Sequence, residues 1–362
     1  MTGRPVRISI KTTGCKVNQA DTAAMVRSVA DLPVEWVGAG SDSDIAVINA
    51  CTVTRAAERD GRNAVYRATR SGDGPVLLTG CMAVRLERQG DVPDFDDRVE
   101  LAPSIGDQPA FVRRLREAVH VRMAQRDRES PPEAPPRGKP AGSRTRPIIK
   151  VQDGCNHACS YCIVPTVRGS SVSVPVSRVA EEVDRARASG ASELVLAGVD
   201  LSSWGRDLDG DRSLFHLLEG LLARKCGARF RLSSLEPDGL VESLLSLVAD
   251  SRDLCPHFHV PLQSGSDRIL GLMSRPYDAA GFASHVERAH KRIPGLVMGL
   301  DVICGFPGET DSDFEATRSF LEGLAFTYLH VFPYSPRPGT TAGLLTDDVP
   351  HAIKAERCRI LR

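Results

Sequence analysis

Short runs rich in aliphatic and β-branched residues alternate with helix-spaced stretches along most of the chain. Ile45–Ile48 and Val76–Leu78 are wholly aliphatic, and Val6–Ile10 sets three β-branched residues around Arg7 and Ser9; all three read as buried parallel strands. Ala20–Val29, Arg55–Thr69 and Pro109–Val119 carry helical spacing and lie between or after them. This alternation predicts a doubly wound α/β domain over residues 1–121. Residues 122–147 break the rhythm. They hold Pro131, Pro132, Pro135, Pro136, Pro140 and Pro147 with a basic bias from Arg122, Arg126, Arg128, Arg137, Lys139, Arg144 and Arg146. They read as an exposed linker.

From 148 to 340 the same grammar returns. Strands are expected at Ile148–Val151, Glu193–Ala197, Arg229–Ser233, His257–Val260, Val297–Ile303 and Tyr328–Phe332. Helices are expected at Arg178–Ser189, Leu214–Arg224, Ser266–Met273, Ala279–Lys291 and Asp311–Gly323. The fold class is therefore α/β, a doubly wound parallel-sheet domain followed by an incomplete (β/α)6 barrel. In such a barrel the C-terminal edge of the strands is the ligand end. Residues 341–362 form a C-terminal segment. The glycines of Gly305-Phe-Pro-Gly-Glu-Thr310 fit no phosphate-binding pattern and read as a strand-to-helix turn, with Thr310 capping the helix that follows.

Composition narrows the class without naming a partner. The 362 residues are 41% hydrophobic and 25% charged, with zero formal net charge, so two cores can form without disulfide support. The total charge does not announce a nucleic acid, although balanced totals say nothing about local patches. The N-terminus lacks the apolar core of a signal peptide, and no run approaches a membrane span. The expectation is a cytoplasmic protein with no membrane partner. Ten cysteines in a reducing compartment then point to metal or redox chemistry rather than to a disulfide framework.

The cysteines are not scattered. Cys155, Cys159 and Cys162 stand at C-x3-C-x2-C in a loop after the first barrel strand. Three thiols at this spacing can hold three corners of a [4Fe–4S] cluster, which ordinarily takes four, leaving one iron open for chemistry. A structural zinc site is the bland alternative, but it wants a fourth ligand. His157 could supply one, yet its place in the tight loop reads as solvent-facing. Cys15, Cys51 and Cys81 each lie at or just past the end of one of the three N-terminal strands, and such strand ends gather on one rim. Gly14 and Gly80 precede two of them and allow close approach. A second three-thiolate site follows. Cys304 reads as a small core residue, while Cys226, Cys255 and Cys358 lie in polar contexts without a pattern.

With both sets in view, the chain from about residue 6 onward resembles the radical S-adenosylmethionine (SAM) methylthiotransferases. The resemblance rests on Gly14-Cys15-Lys-Val-Asn-Gln-Ala-Asp21, Asn49-Ala-Cys51-Thr-Val-Thr54, Thr79-Gly-Cys81 and the Gly154–Gly169 loop with Tyr161 before its third cysteine. Further segments are Leu232-Ser-Ser-Leu-Glu236-Pro, His259-Val-Pro-Leu-Gln263-Ser-Gly-Ser266, Asp301-Val-Ile-Cys-Gly-Phe-Pro-Gly-Glu309-Thr and His330-Val-Phe-Pro-Tyr334. The opening motif and Val199-Asp-Leu-Ser-Ser-Trp-Gly205 are most similar to the branch acting on N6-threonylcarbamoyladenosine of tRNA, next to the anticodon. A branch modifying an aspartate of ribosomal protein S12 is less similar.

The resemblance implies a division of labour between the two cysteine sets. Cys155, Cys159 and Cys162 would hold a reducing [4Fe–4S] cluster whose free iron chelates SAM. One-electron cleavage of SAM would give methionine and a 5′-deoxyadenosyl radical that takes hydrogen from adenosine C2. Cys15, Cys51 and Cys81 would hold an auxiliary [4Fe–4S] cluster carrying the sulfide that is methylated and transferred. Tyr161 would lie against the adenine of SAM. Gly198, Asp200, Ser234, Glu236 and Gln263, just past successive strands, would contact its polar groups, although Asp200 and Glu236 also suit helix caps. tRNA is the implied substrate, and a reducing electron donor of flavodoxin or ferredoxin type the implied partner. Two departures open alternatives. Ser170-Ser-Val172-Ser-Val174 stands where the family usually has several arginines, and the sequence given stops at Arg362, where a TRAM-type RNA-binding domain is usual. The same carbon–sulfur chemistry on a peptide, ribosomal protein or small molecule is the second reading, and a non-catalytic iron–sulfur or zinc protein the third.

Overall fold

The computed structural model describes residues 4–103, 109–126 and 145–362. The chain forms two compact units, one of residues up to 144 together with Thr166–Arg168, the other of Thr145–Pro165 and Gly169–Arg362.

The first unit is built on five parallel strands, β1 (Val6–Thr12), β2 (Val34–Val37), β3 (Ile45–Asn49), β4 (Val76–Thr79) and β5 (Val99–Leu101), in the order β2-β1-β3-β4-β5. Every residue of β3 and β4 is buried, because both faces of the sheet are covered. Ile45 and Val47 join Val6, Ile8, Met25, Phe111 and Leu115 in one core, while Ala46 and Ile48 join Val65, Leu78, Met82 and Leu86 in another. That division between odd and even residues is the period of two of a strand packed on both sides. Among the described residues, four helices supply the covers: α1 (Lys16–Arg27), α2 (Arg55–Ser71), α3 (Gly80–Gln89) and α4 (Pro109–Arg126).

The expected elements are present with shifted ends, and three were missed. Helix α1 starts at Lys16 rather than Ala20, because Cys15 occupies its N-cap position. Strands β2 and β5 are short and only half-buried edges, so they lack the apolar run that marks β3. Helix α3 hid behind Gly80, which reads as a turn residue and has φ +79°. The linker reading of 122–147 fails at its start, since α4 continues through Arg126; residues 127–144 lie outside the described residues.

The second unit carries six parallel strands: β6 (Ile148–Lys150), β9 (Glu193–Ala197), β10 (Arg229–Leu232), β11 (His257–Gln263), β12 (Val297–Cys304) and β13 (Tyr328–Pro333). They pair as β6-β9-β10 and β11-β12-β13, and a parallel bridge between Ser234 and His259 continues the arc from β10 to β11. This is an incomplete (β/α)6 barrel with β6 and β13 at its ends. A two-residue antiparallel pair, β7 (Gln152–Asp153) with β8 (Val172–Ser173), clasps the base of the cysteine loop. Thr310 caps helix Asp311–Gly323 in a reciprocal box with Asp313, as its position after the turn implied.

The C-terminal segment belongs to this unit. Helix His351–Leu361 packs on β12 and β13, and Arg357 bonds to Glu309 at 2.6 Å and to Asp311 at 2.7 Å. The Arg357 and Glu309 side chains are 6% and 4% exposed. Removing one member of such a pair leaves a buried charge, which typically costs about 3–5 kcal/mol. Arg357→Met is therefore expected to lower the thermal midpoint of this unit, and adding Glu309→Gln to recover part of the loss in a double-mutant cycle. A midpoint equal to the parent's would refute the cost assigned to the pair. Cys358, expected to be patternless, is instead buried in the same core as Cys304, and Cys255 is also buried.

Candidate metal centres

The cysteines of the first unit meet at the carboxyl ends of β1, β3 and β4, where the strand order reverses between β1 and β3. Cys15 caps α1, Cys51 follows β3 and Cys81 lies in the first turn of α3. Asn18 sits among them, fully buried. Its Oδ1 lies 3.5 Å from Cys15 Sγ and 3.9 Å from Cys81 Sγ, and its Nδ2 donates to the Thr13 carbonyl at 3.2 Å. Asn49 Nδ2 ties the end of β3 to α1, donating to the Asn18 carbonyl at 2.8 Å and to Thr22 Oγ1 at 2.9 Å.

The two glycines bring the loops together rather than exposing backbone to a ligand. A Cβ on Gly14 would stand 2.4 Å from Cys51 Cβ and 3.0 Å from its Sγ. One on Gly80 would stand 2.2 Å from Asn49 Oδ1. Burial pushes the Cys51 and Cys81 thiols up, the latter to about 12, and the neighbouring thiols add to both shifts. Cys51 and Cys81, held out of water, resist ionising on their own; a bound metal is the charge that settles such thiols as thiolates. The donor set fits an iron–sulfur cluster.

The loop in the second unit is equally determined. Gly154, at φ +69°, has no room for a Cβ, which would lie 2.0 Å from the Ser170 carbonyl oxygen. Cys155 N donates to the Gly169 carbonyl at 3.1 Å, closing the loop on itself, and Ser160 is held by the Leu272 and Met273 carbonyls at 2.8 and 3.0 Å. Burial raises the Cys155 thiol to about 11 and the Cys162 thiol to about 12, and each thiol senses the neighbouring cysteines. This triad fits a cluster by the same chemistry.

Buried Gln152 anchors the loop to the next strand end. Its Nε2 donates to the Gly154 carbonyl at 2.7 Å and to Ser171 Oγ at 2.9 Å, and its Oε1 accepts from Asp200 N at 2.9 Å. Asp200 caps the turn Leu201–Ser203 and also meets His157, whose Nε2 is 3.2 Å from its Oδ2. The expectation of a solvent-facing His157 is thus corrected: its Asp200 bond half-buries the ring and raises its pKa. Burial works to raise the Asp200 carboxyl, but its bonds from His157, Ser203 and Ser202 N outweigh that and hold it below its usual value. A cavity of about 300 Å³ opens beside these groups, lined by Asn156, His157, Ser171, Asp200 and Arg206 among others.

The remaining expected contacts sit at the same strand edge. Gly198 follows β9, and a Cβ there would meet Gln152 Oε1 at 2.8 Å. Ser234 and Glu236 follow β10, and Gln263 ends β11 at a bulge with φ +72°. Tyr161 packs against the apolar cluster of Ile269, Met273, Phe306 and Tyr334, so its ring anchors the loop. Glu236 is ion-paired with Arg275. Sequence reasoning missed that arginine, as it missed Asn18, Gln152 and the hydrogen-bonded set on β11, β12 and β13 where Asp301 Oδ1 lies 2.8 Å from His259 Nε2 and 3.0 Å from His330 Nδ1.

Comparison with known proteins accounts for both units. Residues 149–321 match the family model described as Radical SAM superfamily, and residues 7–93 match that described as Uncharacterized protein family UPF0004. The chain is 33% identical over 368 residues to threonylcarbamoyladenosine tRNA methylthiotransferase MtaB of Aquifex aeolicus, spanning 99% of this chain and 87% of the relative. It is 31% identical to tRNA-2-methylthio-N(6)-dimethylallyladenosine synthase of Syntrophus aciditrophicus, over 98% of this chain and 78% of the relative. The solved structure of the radical SAM methyltransferase TsrM from Kitasatospora setae shares the fold, at TM-score 0.62 and 15% identity, over 95% of this chain and 77% of that one. Among the described residues no helix is long and apolar enough to cross a membrane. With identity to methylthiotransferases running through both cysteine-bearing units, the chain belongs to the radical SAM methylthiotransferase family and is a transferase whose cofactors are SAM and [4Fe–4S] clusters.

Proposed function

We propose that this enzyme inserts a methylthio group at C2 of N6-threonylcarbamoyladenosine in tRNA, next to the anticodon. The observation that carries the reading is the near full-length similarity to relatives bearing that name, in a chain whose two α/β units each carry a thiol triad, one gathered from three strand ends and one in a single loop. Cys155, Cys159 and Cys162 would hold one cluster and Cys15, Cys51 and Cys81 the other. With SAM bound, these groups supply one-electron reduction, a carbon-centred radical and the sulfur for insertion.

The protein's share is position and exclusion of water. Gln152 fixes the loop against the rim at which Gly198, Asp200, Ser234, Glu236 and Gln263 would receive the polar groups of SAM, and Tyr161 holds the loop to the barrel. The electron source would be a low-potential donor of flavodoxin or ferredoxin type, and the location cytoplasmic. A competing base is favoured by one observation: the dimethylallyladenosine enzyme is nearly as similar, at 31% identity.

Nucleoside mass spectrometry of tRNA from cells with and without the gene separates the readings. Loss of 2-methylthio-N6-threonylcarbamoyladenosine, restored by the gene in trans, is expected. Loss of the dimethylallyl derivative instead would move the substrate to that base. An unchanged profile would sink the tRNA assignment and favour another acceptor for the same chemistry.

A further inference from the structure

Each thiol triad has one buried arginine directed at one of its sulfurs. In the second unit, Arg275 Nη1 donates to Cys159 Sγ at 3.1 Å, Nη2 to Glu236, and Nε to Tyr277 Oη at 2.9 Å. Its guanidinium stands 4.8 Å from the centre of the Tyr277 ring, and Tyr277 Oη donates to the Pro261 carbonyl at 2.8 Å. In the first unit, Arg168 Nε donates to Cys81 Sγ at 3.2 Å, and its Nη2 to Asn18 Oδ1 at 2.7 Å and Asp21 Oδ2 at 3.0 Å. Both arginine side chains are 2% exposed.

The two arrangements have the same parts. One carboxylate neutralises the cation and fixes its plane, a second polar side chain takes another N–H, and one N–H remains aimed at sulfur. A guanidinium is always charged and holds its donors in a rigid fork, so the direction of that N–H is set by the partners on its other nitrogens. Hydrogen bonds to ligand sulfurs and local charge are what tune an iron–sulfur cluster's reduction potential. When one electron enters a cluster and no bond changes, negative charge accumulates on the sulfurs. A nearby N–H dipole and cation stabilise that reduced state in a site where little water competes.

We propose that Arg275 and Arg168 are positioning residues that set the reduction potentials of the barrel cluster and the N-terminal cluster respectively, each through its N–H to a ligand sulfur. The proposal rests on the reading of the two triads as cluster sites, and its test keeps the two claims apart.

The full chain is reconstituted anaerobically, its iron and acid-labile sulfide are measured, and each cluster is titrated with dithionite while the reduced signal is followed by electron paramagnetic resonance. Parent protein without clusters would overturn the cluster reading itself. In loaded Arg275→Met, the reduced-to-oxidised ratio of the barrel cluster at fixed potential is expected to fall at least tenfold, which is 59 mV for a one-electron couple, with the N-terminal cluster unchanged. Arg168→Met is expected to do the reverse. Should a Met variant fail to take up iron, Arg275→Gln or Arg168→Gln, which keeps an N–H but no charge, is read in its place and is expected to show a smaller fall at the same cluster. Loaded variants with parent-like ratios, or equal shifts at both clusters, would overturn the proposal.

Discussion

Replacing Cys155, Cys159 and Cys162 by alanine is expected to remove about half of the iron from a reconstituted chain that holds on the order of eight irons in two four-iron clusters, and to abolish formation of 5′-deoxyadenosine from SAM. Replacing Cys15, Cys51 and Cys81 is expected to remove the other half while SAM cleavage continues and no methylthio product forms. The dissociation follows from the fold. Each triad is assembled within its own unit, the first by three strand ends and Asn18, the second by one loop clasped by Gln152. Alanine removes ligand atoms without adding volume, so neither set of changes disturbs the other unit's core. Iron analysis with product analysis by mass spectrometry reads both arms. Loss of SAM cleavage in the N-terminal variant would mean that the auxiliary triad is needed for more than sulfur. Zinc in place of iron in the parent would restore the structural-metal reading.

The parts of this arrangement that were legible in the sequence are those that local pattern controls. Ile45–Ile48 and Val76–Leu78 announce strands because a strand covered on both faces must be apolar at every position, and the cysteines next to them then fall at one sheet edge. The edge strands Val34–Val37 and Val99–Leu101 gave no such signal, being half-buried. Asn18 stands three residues after Cys15, and Asp21 three after Asn18, successive i,i+3 steps that could have been read once Cys15 was recognised at the N-cap position. Arg168 and Arg275 could not have been found this way. Their sulfur partners lie 87 and 116 residues away, and a buried arginine is recognisable only from the carboxylate that fixes it. His157 was misjudged for the same reason: Asp200, its partner, lies 43 residues further on.

Gly14→Ala is expected to empty the N-terminal site while leaving SAM cleavage intact. Gly14 adopts φ +103°, and a methyl group there would lie 2.4 Å from Cys51 Cβ, so the new atom strikes the side chain that must present a ligand sulfur. Relief by moving Cys51 is opposed by its backbone, whose N donates to Thr13 Oγ1 at 3.1 Å, and by the neighbouring bonds of Asn18 and Asn49 to the same loops. Two costs therefore combine, the strain of a non-glycine residue at positive φ, about 1–3 kcal/mol, and displacement of a ligand. Gly90→Ala separates them. Gly90 also has positive φ, +69°, but nothing lies within 4 Å of its added Cβ, so that variant carries strain without the clash. Reconstituted Gly90→Ala is expected to melt somewhat earlier and hold its full iron. Gly14→Ala is expected to hold about half and to make 5′-deoxyadenosine without methylthio product. Equal iron in the two variants would show that Cys51 can shift to accommodate the methyl group, and that the close approach of these two strand-end loops is not what holds the triad in register.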